Sequence, residues 1–401
     1  MYIERTAEKV IRKLSDQFKV LLVTGARQVG KSTILRHCDN TRKYVTLDDL
    51  TERELAINEP KLFLQRHTPP VIIDEIQYAP QLLSYIKMAV DNTELKGQYW
   101  LTGSQQFHLM KNVSESLAGR VAIIDLMGLS LSEINGIPSN PPFFPSVELI
   151  NNKRKAHQAY SLQDIFKIIY NGSFPALNNQ EELDRDIFYS SYIQTYIERD
   201  IRELSVISNE MKFLHFIRVV AARTGQVLKY SELANEVGIS QPTAKSWLSL
   251  LVSSNLVYLL EPYYQNISRR MTKMPKLYFL DTGLCAYLTS WNSPEVLMNG
   301  AMNGAFFETF VVSEILKSYR HNGKRPSLYW YRDTTQKEID LLFDENDKLY
   351  PVEIKLSANP TKLMCRHFNT IENYETGLII CMRETDIPVT DKVHSVPVGY
   401  I

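Results

Sequence analysis

The chain has 401 residues, 45 Lys+Arg against 45 Asp+Glu and hence a formal net charge of zero, with 44% hydrophobic and 22% charged residues. That length predicts two or three domains, and that composition excludes a largely disordered chain. No apolar run approaches the ~18 residues of a membrane span, so no membrane association is expected.

The first residues, MYIERTAEKVIRKL, are charged and amphipathic, with Ile3, Val10, Ile11 and Leu14 at helical spacing over 3–14. They lack the apolar stretch of a signal peptide. The four cysteines, Cys38, Cys285, Cys365 and Cys381, form no C-x-x-C pair and no zinc spacing. Together these features predict a cytoplasmic protein with reduced thiols.

Four short apolar runs follow, Val20–Thr24, Tyr44–Leu47, Val71–Asp74 and Tyr99–Thr102, with a fifth at Ala122–Leu126. Helical or polar stretches separate them, the pattern of a parallel α/β sheet. Between the first strand and a helical STILRHC lies GARQVGKS, residues 25–32, which fits G-x-x-x-x-G-K-[ST] in its proper strand–loop–helix context. Gly25 and Gly30 let the backbone wrap a phosphate closely, and the loop N–H groups with the helix N-terminus turn positive dipole toward it. The predicted nucleotide cradle is Gly25, Ala26, Arg27, Gln28, Val29, Gly30, Lys31, Ser32 and Thr33. Lys31 has the reach for the β- and γ-phosphates of ATP, and the Ser32 hydroxyl suits Mg²⁺. The apolar strand VIIDE supplies the second half. Asp74 follows Ser32 by 42 residues and is expected to hold Mg²⁺, with Glu75 orienting and deprotonating an attacking water. The adjacent Glu favours an ATPase over a nucleotide kinase or GTPase. In the next strand, LTGSQ, Ser104 is the first choice for a polar side chain facing the γ-phosphate, with Thr102 or Gln105 as alternatives.

GARQVGKST, VIIDEIQ, LTGSQQF and SLAGR together resemble the AAA+-type ATPases of bacteria and archaea. More narrowly, they resemble a family with a long C-terminal region of unassigned function. The resemblance implies that Ser104 is the sensor residue and that Arg120 is an arginine finger or a nucleotide-sensing arginine. The alternative for Arg120 is a surface residue in a turn. An arginine acting on a neighbour's ATP would also imply a homo-oligomer.

Residues 138–145 hold four prolines and predict a loop or exposed insertion. From Leu162 to about Arg223 the period is helical, broken at residues 171–175. The aromatics Phe188, Tyr189, Tyr192 and Tyr196 read as core packing, and Glu198-Arg199-Asp200 as an inter-helix ion-pair network.

The zero total hides an uneven distribution. Residues 1–136 carry 17 basic and 16 acidic side chains, 137–204 carry 7 and 9, 205–276 carry 9 and 4, and 277–401 carry 12 and 16. The basic excess coincides with SELANEVGISQPTAKSWLSLLVSS, residues 231–254, which reads as a helix-turn-helix. Leu233, Ala234 and Val237 form one apolar face. Gly238 suits a left-handed turn, and Ser240 and Pro242 suit the start of the second helix. Asn255–Leu260 and Lys276–Leu280 predict the strands of a wing, with Arg269, Arg270, Lys273 and Lys276 placed for phosphates. Gln241, Thr243, Lys245, Ser246 and Ser249 are the expected groove-facing residues, making residues 205–276 a DNA-binding winged helix. Packing between domains is the alternative. Downstream, Asp281-Thr282-Gly283 reads as a capped helix start.

After Pro326 strands return at Leu328–Arg332, Glu338–Phe343, Tyr350–Leu356 and Gly377–Met382. Asp340 lies on one strand, and Glu353 and Lys355 share a face of the next, because side chains alternate along a strand. Glu308, on a predicted helix over Gly304–Ser318, adds a third acid. This order resembles the PD-(D/E)XK nuclease fold. The resemblance implies that Asp340, Glu353 and Glu308 bind Mg²⁺ and that Lys355 positions or activates water. The expected helix over about 361–374 lacks the Gln-x-x-x-Tyr of several branches. A cross-strand charge cluster on a solvated face is the alternative.

The predicted architecture is therefore α/β throughout. An AAA+-type P-loop core (1–136) precedes a helical connector (137–204), a winged helix (205–276) and a restriction-endonuclease-like α/β domain (277–401). The expected activity is Mg²⁺-dependent ATP hydrolysis coupled to nucleic-acid processing. The alternative is a nucleotide-gated switch whose C-terminal domains bind proteins.

Overall fold

The computed structural model describes residues 2–104, 113, 115–138, 140–155, 158–179, 182–197, 210–264 and 274–401. Gln105, Glu198, Arg199, Asp200, Arg269, Arg270 and Lys273 lie outside the described residues, as does the side chain of Tyr196.

β1 (Val20–Thr24), β2 (Lys43–Thr46), β3 (Val71–Asp74), β4 (Tyr99–Gly103) and β5 (Val121–Asp125) form a five-stranded sheet in the order β2-β3-β4-β1-β5. Every pairing is parallel. The alternation of β1 side chains explains why its run is apolar throughout. Leu21 and Val23 face Ile11, Ile34 and Leu35, whereas Val20 and Leu22 face Leu83, Ile86 and Val90 on the other side. Helices α1 (Ala7–Ser15) and α2 (Lys31–Cys38) pack against each other. Because all five strands run the same way, the ends of β1, β3 and β4 that carry Gly25, Asp74 and Ser104 lie at one edge, although β4 separates β1 from β3.

Residues 210–279 combine helices Glu210–Ala222, Tyr230–Val237 and Gln241–Ser253 with an antiparallel sheet, β6 (Gln226–Val227), β8 (Lys276–Phe279) and β7 (Val257–Leu260). Gly238, at φ +70°, ends one helix, and the Ser240 side chain accepts from Thr243 N to start the next. A division between residues 276 and 277 would cut β8, so this unit closes at Phe279.

The C-terminal sheet runs β13-β14-β12-β11-β10-β9, from β9 (Leu328–Arg332), β10 (Glu338–Glu345), β11 (Lys348–Lys355), β12 (Gly377–Cys381), β13 (Ile387–Pro388) and β14 (Val393–Pro397). The long Asn303–Arg320 helix packs on β11. The helix expected over 361–374 is a 3₁₀ segment, Lys362–Thr370. There, Cys365 and Thr370 side chains bond carbonyls three residues back and so compete with a regular α-helical pattern.

One apolar core runs through all four predicted segments, from Ala7 to Ile401. The proline-rich stretch is a loop but not an exposed one. Phe143 is 1% exposed, packs against Phe343 at 6.0 Å between ring centroids, and donates its N–H to Ser318 Oγ at 3.0 Å. Phe188, Tyr189 and Tyr192 cluster around Phe174, as core aromatics should. Asp281 caps the Thr282–Leu288 helix and also accepts from Ser173 and Tyr189.

A buried charge cluster ties the ends of the chain together. The Arg5 guanidinium donates to Glu133 at 3.0 Å and to the carbonyls of Val29 and Met127, and His321 lies 3.2 Å from the other Glu133 oxygen. Burial pushes the Glu133 carboxyl up, but Arg5 and His321 outweigh it and hold it far below the usual carboxylate range. A depressed acid stabilises the fold fully above its unfolded pKa of about 4.3, and that contribution is lost as pH falls below it. Replacing Glu133 by Ala strands Arg5 in the interior and is expected to cost about 3–5 kcal/mol in denaturant unfolding. Glu133→Gln should flatten the wild-type loss of melting temperature below about pH 4.3. An identical acid profile in that variant would remove Glu133 from the account.

Candidate nucleotide site and C-terminal charge cluster

The loop after β1 turns sharply enough to require glycine at its start. Gly25 has φ +145°, and a Cβ there would meet Leu126 O at 2.1 Å. Gly30, at φ +93°, leads directly into α2, so the first N–H groups of the helix face the loop interior. Lys31 is 5% exposed and folds inward, its Nζ 3.1 Å from Gly25 O and 2.9 Å from Ala26 O. Ser32 Oγ donates to Asp74 Oδ1 at 2.7 Å, which brings the phosphate loop and the acid strand together across β4.

Three hydroxyls hold Asp74. Besides Ser32, Thr102 Oγ1 donates to the same carboxylate oxygen and Tyr44 OH donates to the other at 2.7 Å. Burial, and then the bond to Asp74, push the Tyr44 phenol up, so it remains a donor. Glu75 adopts φ +57°, a left-handed backbone uncommon for a non-glycine residue. Its N–H donates to Thr102 Oγ1 at 3.0 Å, and its carboxylate accepts from Gln77 Nε2 and from Ser104 Oγ at 3.3 Å. Ser104 thus bonds the Glu75 carboxylate, and Thr102 anchors the Asp-Glu pair. Tyr44 and Gln77 had no distinguishing sequence signal. Tyr44 reaches Asp74 only because β2 pairs with β3. Ser32 and Asp74 present adjacent hard oxygen donors, a set that fits Mg²⁺.

Arg120 lies at the wrong edge of the sheet for a nucleotide-sensing role in its own chain. It precedes β5, its carbonyl accepts from Val20 N at the start of β1, and its guanidinium pairs with Asp91. The length of a parallel strand, roughly 15 Å, separates that edge from the phosphate loop.

The C-terminal acids do gather, but around lysines. Asp340 Oδ2 accepts from Lys355 Nζ and from Ile354 N, each at 2.9 Å, and Lys355 also pairs with Glu353. A second lysine enters from β8. Lys276 is 3% exposed, with Nζ 3.1 Å from Glu308, 2.6 Å from Glu338 and 3.9 Å from Asp340. Tyr278 OH donates to Glu308 at 2.7 Å. Burial pushes Glu308 and Glu353 up. It pushes Asp340 up as well, but Lys355 and Lys276 prevail and hold that carboxyl low. Among the described residues, no group of three or more His, Cys, Asp or Glu is arranged to hold a metal. The expected Mg²⁺ set of Glu308, Asp340 and Glu353 therefore does not fit a divalent ion here, because the space among the acids holds an ammonium. Lys276, expected to meet phosphate on a wing, is instead part of this cluster. The sequence carried no sign of that, since β8 reaches the acids only through tertiary packing.

Residues 17–135 match the AAA domain family, and the N-terminal region is a parallel-sheet, P-loop ATPase-like domain. Residues 162–295 match a domain of unknown function (DUF8612), and residues 303–401 match another (DUF4143). The uncharacterized protein Rv2008c of Mycobacterium tuberculosis is 26% identical over 404 residues, covering 100% of this chain and 85% of that protein. The uncharacterized protein Mb2031c of Mycobacterium bovis matches to the same extent. Among solved structures, the Walker-type ATPase PABY2304 of Pyrococcus abyssi is 15% identical, with TM-score 0.45, over 70% of this chain and 94% of that one. AMPPCP-bound DnaA from Aquifex aeolicus is 16% identical, with TM-score 0.24, over 61% and 85%. Likeness of that extent leaves the fold assignment resting on the sheet order and the phosphate loop. Among the described residues, no helix is long and apolar enough to cross a membrane.

Proposed function

We propose that the chain is a Mg²⁺-dependent, AAA+-type ATPase whose turnover is coupled to DNA contact by residues 210–279. The observation that carries the ATPase reading is the Ser32–Asp74 hydrogen bond with Glu75 beside it, held by Ser104 and Gln77. In this reading Gly25 to Thr33 wrap the phosphates of ATP, Ser32 and Asp74 hold Mg²⁺, and Glu75 takes the proton of the attacking water. Ser104 positions Glu75. Arg120, half-buried at the opposite edge and paired with Asp91, is assigned as a finger offered to a second copy of the chain. The proposed division is an ATPase core over 1–136, a connector over 137–204, a winged helix ending at Phe279, and a nuclease-like α/β domain beyond it.

The DNA reading rests on the Gln241–Ser253 helix. Gln241, Lys245, Ser246 and Ser249 are exposed on one side, while Ala244, Trp247, Leu248 and Leu251 are buried on the other. The charge tally of this segment overstates what a phosphate backbone can meet. Lys276 is buried among acids, and Arg223 and Lys229 are paired with Glu232 and Glu236. Duplex DNA is expected to bind with a salt slope of only about 2–4 released counterions, and Lys245→Ala should reduce that slope by about one. Salt-independent association would point to protein contact instead.

The coupling is tested by measuring ATP hydrolysis with and without single-stranded, duplex and branched DNA. Stimulation by one of them is expected. An unchanged rate with all three would favour a nucleotide-gated switch that binds protein partners. DNA cleavage is not part of the proposed function, because Lys276 fills the space among the C-terminal acids.

A further inference from the structure

We infer that Lys276 is a built-in cation of the C-terminal pocket, standing where a nuclease-like site would hold a divalent metal and locking β8 to the C-terminal sheet. The inference goes beyond the ATPase reading and does not depend on it.

The geometry is that of a filled coordination space. Glu308 comes from the long C-terminal helix, Glu338 and Asp340 from β10, and all three lie within 3.9 Å of one ammonium. That ammonium belongs to a side chain anchored in a different sheet, whose neighbour Tyr278 also donates to Glu308. Other cations and a backbone N–H engage further oxygens of the same cluster. Asp340 Oδ2 takes Lys355 and Ile354 N, Glu353 takes Lys355, and Glu338 takes Arg332. A hard divalent cation needs about six oxygens at about 2.1–2.5 Å, with no ammonium among them. Metal and Lys276 therefore exclude each other. The acids are nevertheless reachable, because a cavity of about 460 Å³ opens on Glu338, Asp340, Glu353 and Lys355.

The consequence is conformational. β8 is the last strand of the unit that carries the exposed Gln241–Ser253 helix, and it pairs directly with β7 and β6. A displacement of that sheet would draw Lys276 out, leaving Glu308 without its ammonium and Glu338 and Asp340 with only Arg332 and Lys355. A divalent cation could then relieve these acids. In the observed arrangement Lys276 and the three acids form an ion-pair joint beside that cavity.

The test is Mn²⁺ binding by the full-length, nucleotide-free chain, followed by electron paramagnetic resonance. Asp340→Asn separates this pocket from the phosphate-loop site. Wild type is expected to show no Asp340-dependent Mn²⁺ binding. Lys276→Met is expected to gain a site at least ~10-fold tighter than any in wild type, and adding Asp340→Asn should abolish it. An Asp340-dependent site in wild type would overturn the proposal, as would a folded Lys276→Met that gains none. If Lys276→Met does not fold, the wild-type and Asp340→Asn pair decides alone. Equal Mn²⁺ binding by those two supports the built-in cation, and weaker binding by Asp340→Asn refutes it.

Discussion

Lys31→Ala is expected to lower ATP turnover by at least about 10²–10³-fold and to weaken nucleotide binding, while leaving the fold intact. The separation of the two effects follows from how the loop is built. Its shape is set by backbone, with Gly25 and Gly30 in conformations that L side chains avoid and α2 starting immediately after them. The Lys31 ammonium contributes two bonds to loop carbonyls, at 3.1 and 2.9 Å. In the proposed site it exchanges those carbonyls for phosphate oxygens, so its charge acts on the nucleotide rather than on the framework. The melting temperature should shift by less than that corresponding to about 1 kcal/mol. A fluorescent ATP analogue titrated into the folded variant measures binding, and phosphate release measures turnover. Wild-type affinity in a folded Lys31→Ala protein would sink the assignment of the cradle.

Glu75→Gln is expected to divide the same two quantities differently. Nucleotide binding should persist, because in the proposed site the phosphates are held by the loop after β1 and by Lys31 at the start of α2. Turnover should fall by about 10²–10⁴-fold, the range for losing a positioned general base. Gln is the informative replacement. It keeps the size of the side chain and can still accept from Ser104 Oγ, which lies 3.3 Å from the Glu75 carboxylate. It also leaves the bond from the residue 75 N–H to Thr102 in place. What it removes is the capacity to take a proton. Single-turnover hydrolysis with the variant saturated in ATP isolates that step, and an undiminished rate would remove Glu75 from the role.

Much of the N-terminal site was legible because its parts are local. A strand, a loop with two glycines and a helix N-terminus are contiguous, so the residue types of Gly25 to Thr33 state their chemistry without knowledge of the rest of the fold. Asp74 and Glu75 were legible for a related reason. In a parallel sheet every strand ends at the same edge, so an acid at the end of an apolar strand must arrive near a loop at the end of another. The side chains that orient them were not legible. Thr102 was only an alternative to Ser104, and Ser104 meets Glu75. Tyr44 and Gln77 are ordinary residue types whose roles arise from strand pairing and from a 3₁₀ turn, Ile76–Tyr78.

The opposite lesson comes from Arg120 and Lys276. Both were assigned from residue type and neighbouring sequence, and position bears on both: it leaves Arg120 a role toward a second copy of the chain, and it makes Lys276 a counter-ion. Arg120 sits in a turn, and a turn does not announce which edge of the sheet it occupies. Lys276 sits at the start of a strand, and burial reversed its meaning. In solvent a lysine there would meet phosphate, whereas within 3.9 Å of three carboxylates it is their counter-ion.

By itself the sequence determined the five N-terminal strands, the phosphate loop, the Asp74-Glu75 pair and the uneven charge beneath a net total of zero. These depend on period, spacing and backbone preference, which act over a few residues. Only the tertiary structure decided which charges neutralise one another. Arg5 meets Glu133 and His321 across most of the chain, and Lys276 meets Glu308, Glu338 and Asp340 across two sheets. The reason is that Coulomb interactions act through space and strengthen as water is excluded, so the partner of a buried charge is set by packing and not by proximity along the chain.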